Sequence, residues 1–294
     1  MLNPLLITQK FRGMFAIIFL LALTCLAVEA ARDLQKLVDT ELAFAKKAAD
    51  TNTRQAFIEF AADDGVVFNP TVINAKAFWE KRPVAPAKLE WHPTWADVSS
   101  DGNAGWDTGP WQFKPKGKDD APVAFGQFAT FWVKQSDGSF KFTVDMGIGF
   151  EKSAFAETEI KYPSDAGKGS IDKTLPSRDE SIDPLTALAR GMVSKELRSV
   201  FAEDCILLLD GSLSYRGKES VIAALTSKDQ AMAQLSEIDV KSAKTYGNFQ
   251  YRYGEFKLEK NNKPAQRHNF LQIWKYRDKK WQLVLEVIND IPSK

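Results

Sequence analysis

The sequence predicts an α+β protein built from two tandem copies of one unit, each a curved antiparallel sheet wrapped by helices. Three observations support this prediction. The order of helical and strand-like patterns in residues 33–150 recurs in residues 184–289. Short stretches of local sequence also recur in the same order in both halves. The step Asp137-Gly138 between two alternating apolar runs is typical of a β-hairpin.

Length and composition fit two globular domains better than one. The chain has 294 residues, of which 44% are hydrophobic and 26% are charged. Its 39 basic and 38 acidic residues are mixed, without a polybasic tail or an acidic block. Because nucleic-acid-binding proteins concentrate basic charge on one face, we expect no nucleic acid partner.

The first half begins with helical spacing and ends in strands. Residues 33–50 place apolar side chains at three- and four-residue intervals, which predicts an amphipathic helix. A second helix near 53–62, a short strand at 65–68 and a third helix at 74–81 follow it. The long strands expected after these elements are 89–98, 105–114, 125–134 and 140–150.

The second half repeats this order. A helix over 184–201, a strand at 205–209 and a helix at 218–228 precede four strands, which are 238–243, 249–258, 267–276 and 281–289. The halves align through shared residues, which are Asp64 with Asp204, Gly109 with Gly254, Trp132 with Trp274, and Asp145 with Glu286. We expect a first unit at 31–152, a linker rich in Pro, Gly and charges at 153–183, and a second unit at 184–294.

The N-terminal segment predicts export. Lys10 and Arg12 precede an apolar run over 14–28 and then small residues, as in a secretory signal peptide at 1–30. Cleavage is expected after Ala30 or Ala31. The apolar run is shorter than the roughly 20 residues that span a bilayer, although an uncleaved anchor and lipidation of Cys25 stay open as alternatives. We expect a periplasmic or secreted protein with no stable membrane insertion after cleavage.

Two stretches carry a resemblance to a known family. They are ADVSSDGNAGWDTGPW at 96–111 and GQFATFWVKQSDGSF at 126–140, the second followed by Thr-Val-Asp145. They resemble the nuclear transport factor 2-like superfamily, and within it the SnoaL-like and ketosteroid isomerase-like domains of unknown function. The resemblance implies a cone-shaped sheet around a largely apolar cavity, here repeated twice. Members include isomerases, cyclases and non-catalytic binding modules, so the likeness does not assign a function.

Three side chains of the first unit are candidate catalytic residues: Asp107, Asp145 and His92. An isomerase or cyclase in such a cavity needs a carboxylate or histidine base facing an apolar interior. Each candidate also has a structural interpretation, as a paired strand carboxylate for the two aspartates and as a hydrogen-bonded wall residue for His92.

The orientation of Asp145 is open at this point. Strand alternation places Phe142, Val144 and Met146 on one face and Asp145 on the other. If the apolar face lines the cavity, Asp145 points outward or toward the second unit. Its alignment with Glu286 indicates a role that the two units share.

Tryptophan is concentrated in the first unit, and flat rings line pockets for flat or apolar ligands. The residues predicted to contact such a ligand are Trp79, Trp91, Trp95, Trp111 and Phe68. The competing interpretation is that most of these rings form core packing. We expect two or three tryptophans at the cavity.

No metal site and no cofactor are expected. Two histidines in separate units and one cysteine in the mature chain cannot form a His/Cys ligand set. The sequence also has no Gly-x-Ser-x-Gly elbow and no phosphate-binding glycine loop.

Three functions remain open from the sequence. The first is an exported, non-catalytic binding protein with a small apolar or aromatic ligand in the cavity of the first unit, since no acid–base pair is matched in both halves. The second is an isomerase-like or cyclase-like enzyme, and the third is a structural or assembly module. In each case we expect the two units to pack as an intramolecular pseudo-dimer, with a homo-oligomer as a further possibility.

Overall fold

The structure is a computed structural model that describes residues 30–169, 175–190, 193–227, 233–260 and 265–293. The predicted signal peptide lies outside the described residues, apart from Ala30. No helix of the described residues is long and apolar enough to cross a membrane.

The first unit places three helices beside a seven-stranded sheet. Its helices are α1 (30–50), α2 (Thr53–Phe60) and α3 (Ala75–Glu80). Its strands are β1 (Ala61–Phe68), β2 (Val72–Asn74), β3 (Lys88–Trp91), β4 (Trp95–Val98), β5 (Ala104–Lys114), β6 (Ala124–Lys134) and β7 (Phe140–Phe150). The strand order is β2-β1-β7-β6-β5-β3, with β4 also on β5, and only the β1–β7 pair is parallel.

The second unit has the same order of elements. Its helices are α4 (Leu185–Arg190), α5 (Lys195–Val200) and α6 (Lys218–Leu225). Its strands are β8 (Phe201–Leu209), β9 (Tyr215–Arg216), β10 (Ala233–Tyr246), β11 (Phe249–Lys260), β12 (Gln266–Arg277) and β13 (Lys280–Asp290). The strand order is β10-β11-β12-β13-β8-β9, again with one parallel pair, β13–β8. The predicted α+β fold, repeated twice, is confirmed.

The strand register relates the two sheets residue by residue. Asp145 lies opposite Thr130, and Glu286 lies opposite Gln272. Thr130 also pairs with Asp107 on the neighbouring strand β5. Gln272 pairs with Arg252 on β11 in the same way. Asp145 and Glu286 therefore occupy one position of the repeat, and Asp107 and Arg252 occupy another.

The prediction of one continuous strand over 89–98 was wrong. The chain forms β3 and β4, which pair with β5 on either side of Pro93. Proline lacks the N–H that a ladder needs, and the chain bulges here. A Cβ on Gly109 would lie 1.9 Å from the carbonyl oxygen of His92, so only glycine fits under the bulge. Its counterpart Gly254 lies beside a bulge of β10, and a Cβ on Gly254 would lie 2.1 Å from the carbonyl oxygen of Asp239.

The prediction of one helix over 184–201 was also wrong. Two short helices occur there, and Phe201 already belongs to β8. The side chain of Ser194 accepts a hydrogen bond from the backbone N–H of Leu197, which caps a new helix start.

Two apolar cores hold the molecule together. The inner core of the first unit lies between its helices and one face of its sheet, where Phe44 of α1 packs on Trp132 and Phe142. The other face of this sheet belongs to a second core that includes the sheet of the second unit. There the ring centres of Phe131 and Tyr251 are 4.9 Å apart. The two sheets thus pack face to face through apolar side chains.

Polar contacts fix this packing at one edge of the interface. The Lys275 ammonium is fully buried and lies 2.8 Å from an Asp97 carboxylate oxygen of the first unit. It also lies 3.2 Å from Asp165 in the linker. Lys275 of the second unit is thus joined to the first unit through Asp97 and to the linker through Asp165, and its buried charge is paired on both sides.

Candidate functional site

The first unit has an open cavity of about 460 Å³, which we call the first-unit cavity. Most of its wall is aromatic or aliphatic, and it consists of Phe44, Phe57, Phe68, Leu89, Trp91, Trp111, Phe128 and Ile148. Its polar lining residues are Asn69, Asp145, Asp210 and Asn289. Asp210 and Asn289 belong to the second unit, so both copies of the repeat build this site.

Backbone contacts hold the second unit at the cavity. The Asp210 carboxylate accepts a hydrogen bond from the backbone N–H of Gly149 at 2.7 Å. The Asn289 side-chain amide donates to the carbonyl oxygen of Gly147 at 3.0 Å. Because both contacts are made to the backbone of β7, the side chains from the second unit are fixed relative to the strand that carries Asp145.

A β-bulge turns Asp145 into the cavity. On β7, Val144 pairs with Phe131 and Phe142 pairs with Trp132, so Thr143 is an extra residue. The bulge shifts the alternation, and Phe142 enters the inner core while Val144 and Met146 enter the core between the sheets. The expectation that these three residues share one face was therefore wrong.

Burial makes Asp145 a weak acid. Its carboxylate accepts a hydrogen bond of 2.9 Å from the hydroxyl of Thr130. Loss of hydration raises the pKa of Asp145 from 3.8 to about 7, and the Thr130 hydrogen bond opposes this only in part. Near neutral pH this group can therefore give or take a proton at the cavity wall.

Two further carboxyl groups lie behind Asp145. Glu41 of α1 and Asp107 of β5 are fully buried. Glu41 accepts a hydrogen bond from the indole N–H of Trp91, and Asp107 accepts one of 3.3 Å from the indole N–H of Trp132.

Glu41 and Asp107 are both fully buried, and burial disfavours the ionised form of each carboxyl group. Desolvation raises the pKa of Glu41 to about 8. Desolvation, followed by the charge of Glu41, raises the pKa of Asp107 well above its ordinary range.

The second unit fills the corresponding interior with its own side chains. The Arg252 guanidinium lies 2.6 Å from Asp183, and both residues are buried. The amide of Gln272 donates to Asp183 at 3.2 Å and to Glu286 at 2.9 Å. Desolvation raises the pKa of Glu286 to about 8. Where Asp107 stands in the first unit, the second unit thus carries a cation that neutralises an acid.

The residues predicted from the sequence divide between the cavity and other places. Asp145, Phe68, Trp91 and Trp111 line the first-unit cavity. Asp107 lies behind the wall. The other three lie elsewhere. Trp79 lines a separate pocket of about 290 Å³ with Arg54 and Arg82, and Trp95 packs against the core between the two sheets. The Nε2 atom of His92 lies 2.6 Å from the carbonyl oxygen of Glu157.

Three polar residues of the site were not predicted: Glu41, Asp210 and Asn289. Glu41 had a detectable signal, because it interrupts the apolar stripe of α1 between Leu37 and Phe44, four and three residues away. A charged residue on the buried face of a helix indicates a buried polar site. Nothing in the sequence pattern indicates that Asp210 or Asn289 belongs to the site, because both reach the cavity only through the packing of the two units.

Among the described residues, no group of three or more His, Cys, Asp or Glu side chains is arranged to hold a metal ion.

Several solved structures are similar to part of this chain. One is a ketosteroid isomerase-like protein from Erwinia carotovora atroseptica, with 14% identity and a TM-score of 0.33, covering 38% of this chain and 92% of that chain. Another is a nuclear transport factor 2-like protein of unknown function from Shewanella oneidensis, with 16% identity, a TM-score of 0.30, and coverage of 36% and 88%. A third, from Novosphingobium aromaticivorans, is named as nuclear transport factor 2-like with a cystatin-like fold, with 11% identity, a TM-score of 0.30, and coverage of 38% and 74%.

These similarities agree with the resemblance predicted from the sequence. The α+β fold of each unit is established by its own strand order and register. Likeness at this level of identity concerns the fold alone and says nothing about ligand or activity. No protein-family model matches the chain, and no curated protein matches it either.

The buried carboxyl groups should make stability fall as pH rises. Because burial raises the pKa of Glu41 from 4.5 to about 8, the folded chain holds this proton more tightly than the unfolded chain. The resulting stabilisation is complete below pH 4.5 and is lost as the pH rises through about 8. In this window the free energy of unfolding should fall less steeply with pH in Glu41→Gln than in the wild type. The expected difference in slope is about 1.4 kcal/mol per pH unit, which corresponds to about one proton.

Urea denaturation at a series of pH values measures this slope. The exposed Glu80 provides a matched control, since Glu80→Gln should leave the slope as in the wild type. A slope that Glu41→Gln leaves unchanged would show that Glu41 is not protonated preferentially in the folded state.

Proposed function

We propose that the protein binds a small, largely apolar or aromatic molecule in the first-unit cavity. The observation that carries this proposal is an open volume of about 460 Å³ walled mainly by Phe and Trp side chains, with the carboxyl groups of Asp145 and Asp210 in its lining. Small-molecule sites typically combine such apolar walls with a few polar groups that orient the ligand. Flat aromatic walls favour a flat ligand because stacked rings bury a large apolar area.

One site per chain is proposed, and it belongs to the first unit. Gly147 lines the cavity, whereas its counterpart in the second unit is Ile288, which is 1% exposed. The Arg252–Asp183 pair occupies the polar interior of the second unit. The second unit then serves as the packing partner and supplies Asp210 and Asn289 to the site.

Filling the cavity should abolish binding without unfolding the protein. A Cβ on Gly147 would lie 3.4 Å from the Trp111 indole nitrogen and 3.5 Å from the carbonyl oxygen of Gln127, which are ordinary contact distances. Gly147→Ile copies the residue of the second unit into the cavity. We predict that it weakens binding at least about tenfold, or by about 1.4 kcal/mol, because the ligand loses its space.

Native mass spectrometry of the protein from its own host and thermal shifts with steroids, polyketides, aromatic acids and aromatic amines measure this effect. Val84→Ile adds the same kind of bulk at a side chain that is 63% exposed and serves as the control. The absence of any bound molecule and of any thermal shift in the wild type would contradict a binding function. Equal binding by Gly147→Ile would place the site elsewhere.

A second candidate function is catalysis with Asp145 as general base. The observation that favours it is a carboxyl group at an apolar cavity wall with a pKa of about 7, close to the pH at which a base both accepts and releases protons readily. Of the three acid–base candidates, Asp145 is the one that lines the cavity, since Asp107 lies behind the wall and His92 contacts the linker.

Carbon acids incubated with the protein in D₂O test this candidate. If Asp145 is a base, deuterium should enter the ligand at a carbon beside a carbonyl group, and Asp145→Asn should reduce this exchange by at least about a hundredfold. Binding without exchange would leave the non-catalytic function. Exchange that persists in Asp145→Asn would remove Asp145 as the base.

Export and removal of residues 1–30 are also part of the proposal, on the strength of the charged and apolar pattern of the N-terminal sequence. We expect the mature protein in the periplasm or the medium, beginning at Ala31 or Arg32. Intact-mass measurement of the protein from fractionated cells tests this. A full-length chain in the membrane fraction would support the anchor instead.

A further inference from the structure

The charges around the first-unit cavity are of one sign. Asp145 and Asp210 line it, and among the described residues that line it there is no Lys, Arg or His. Glu41 and Asp107 lie immediately behind and are fully buried. One carboxyl oxygen of each has no donor among the described residues. Among the described residues, the cavity therefore offers carboxyl groups and hydrogen-bond acceptors, and no cationic side chain, to whatever enters it.

The second unit shows how this fold satisfies acids in the same place. Its interior pairs Asp183 with the guanidinium of Arg252, whose Cζ atom lies 5.1 Å from the ring centre of Phe270. The Arg178 guanidinium carbon lies 4.5 Å from the ring centre of Trp274, the counterpart of Trp132. The repeat thus combines carboxylates with cations stacked on aromatic rings, an arrangement that stabilises a desolvated cation.

The first unit has the carboxylates and the rings but lacks the cation. Asp107 stands where the second unit has Arg252, so the protein itself supplies no positive charge at this position. The rings of Trp91 and Trp111 line the cavity that Asp145 faces. A ligand with a positively charged group would complete the arrangement.

We propose that the ligand of the first-unit cavity is an aromatic or apolar amine, bound as a cation with its ammonium group at Asp145 and its apolar body against the Phe and Trp walls. This inference rests on the proposed binding function and specifies the chemical class of the ligand. Asp210, at the same cavity, adds to the preference for positive charge.

Binding of a cation at Asp145 must be coupled to proton release. The groups that face Asp145 are the Thr130 hydroxyl on β6, Glu41 on α1 and Asp107 on β5, while its neighbour on β1 is the uncharged Val67. None of them is a cation that would keep Asp145 ionised. Since burial raises the pKa of Asp145 to about 7, an ammonium ligand must displace a proton at lower pH, and its affinity should rise with pH up to that value.

Three compounds on one aromatic frame test the charge: naphthylmethylamine, naphthylmethanol and naphthoate. Isothermal titration calorimetry of the full mature chain measures their affinities at several pH values. We expect the amine to bind at least about tenfold more tightly than the alcohol at neutral pH and naphthoate to bind most weakly. Below pH 7 the affinity for the amine should rise about tenfold per pH unit, while that for the alcohol should not rise.

Variants assign the effect to Asp145. Asp145→Asn should remove the preference for the amine over the alcohol and the pH dependence, while Glu286→Gln, at the same position of the second unit, should change neither. The comparison of compounds in the wild type needs no variant, so it stands even if Asp145→Asn fails to fold.

The outcomes separate the two proposals. If the alcohol or the acid binds as tightly as the amine, the inference about charge is overturned while the binding function remains. If none of the three compounds binds, and no molecule is carried by the protein from its host, both proposals are overturned.

Discussion

The face-to-face packing of the two sheets is the constraint on which the rest of the structure depends. It buries the outer faces of the central strands against each other, with Phe131 of one sheet on Tyr251 of the other. Helices cover the inner face of the first sheet. A charged side chain on an inner face therefore has no access to bulk water and must be paired, protonated or placed at a cavity.

The two units meet this constraint in different ways. In the second unit, Arg252 pairs with Asp183, and the interior is closed by side chains such as Ile288. In the first unit, burial raises the pKa of Asp107 and of Glu41, Gly147 leaves space, and Asp145 faces an open volume. The two copies therefore differ in their interiors: the second is filled by side chains, and the first has an open cavity to whose wall the second copy contributes.

Much of the fold could be predicted from the sequence, because the repeat supplied two independent copies of each pattern. The alignment of Asp145 with Glu286 followed from spacing alone, and the strand register agrees with it. The register also places Arg252 at the position of Asp107. Of the aromatic residues predicted to contact a ligand, Phe68, Trp91 and Trp111 line the cavity. They could be predicted because the wall of this cavity consists of large aromatic rings near the ends of strands.

The rest depended on geometry that spacing does not encode. The bulge at Thr143 reverses the face on which Asp145 lies, and strict alternation gives the opposite orientation. The roles of Asp210 and Asn289 require the packing of two sheets that are distant in sequence. Only Glu41 was readable in principle, as an acid in the apolar stripe of α1.

The carboxyl carbon of Asp145, followed by NMR against pH and assigned with Asp145→Asn, tests the central claim that an apolar cavity holds an inward acid. We expect a titration midpoint near pH 7 instead of 3.8, and a lower midpoint when a cationic ligand is bound. A midpoint near 3.8 would mean that Asp145 is hydrated, and would contradict both the orientation of this side chain and the site built around it.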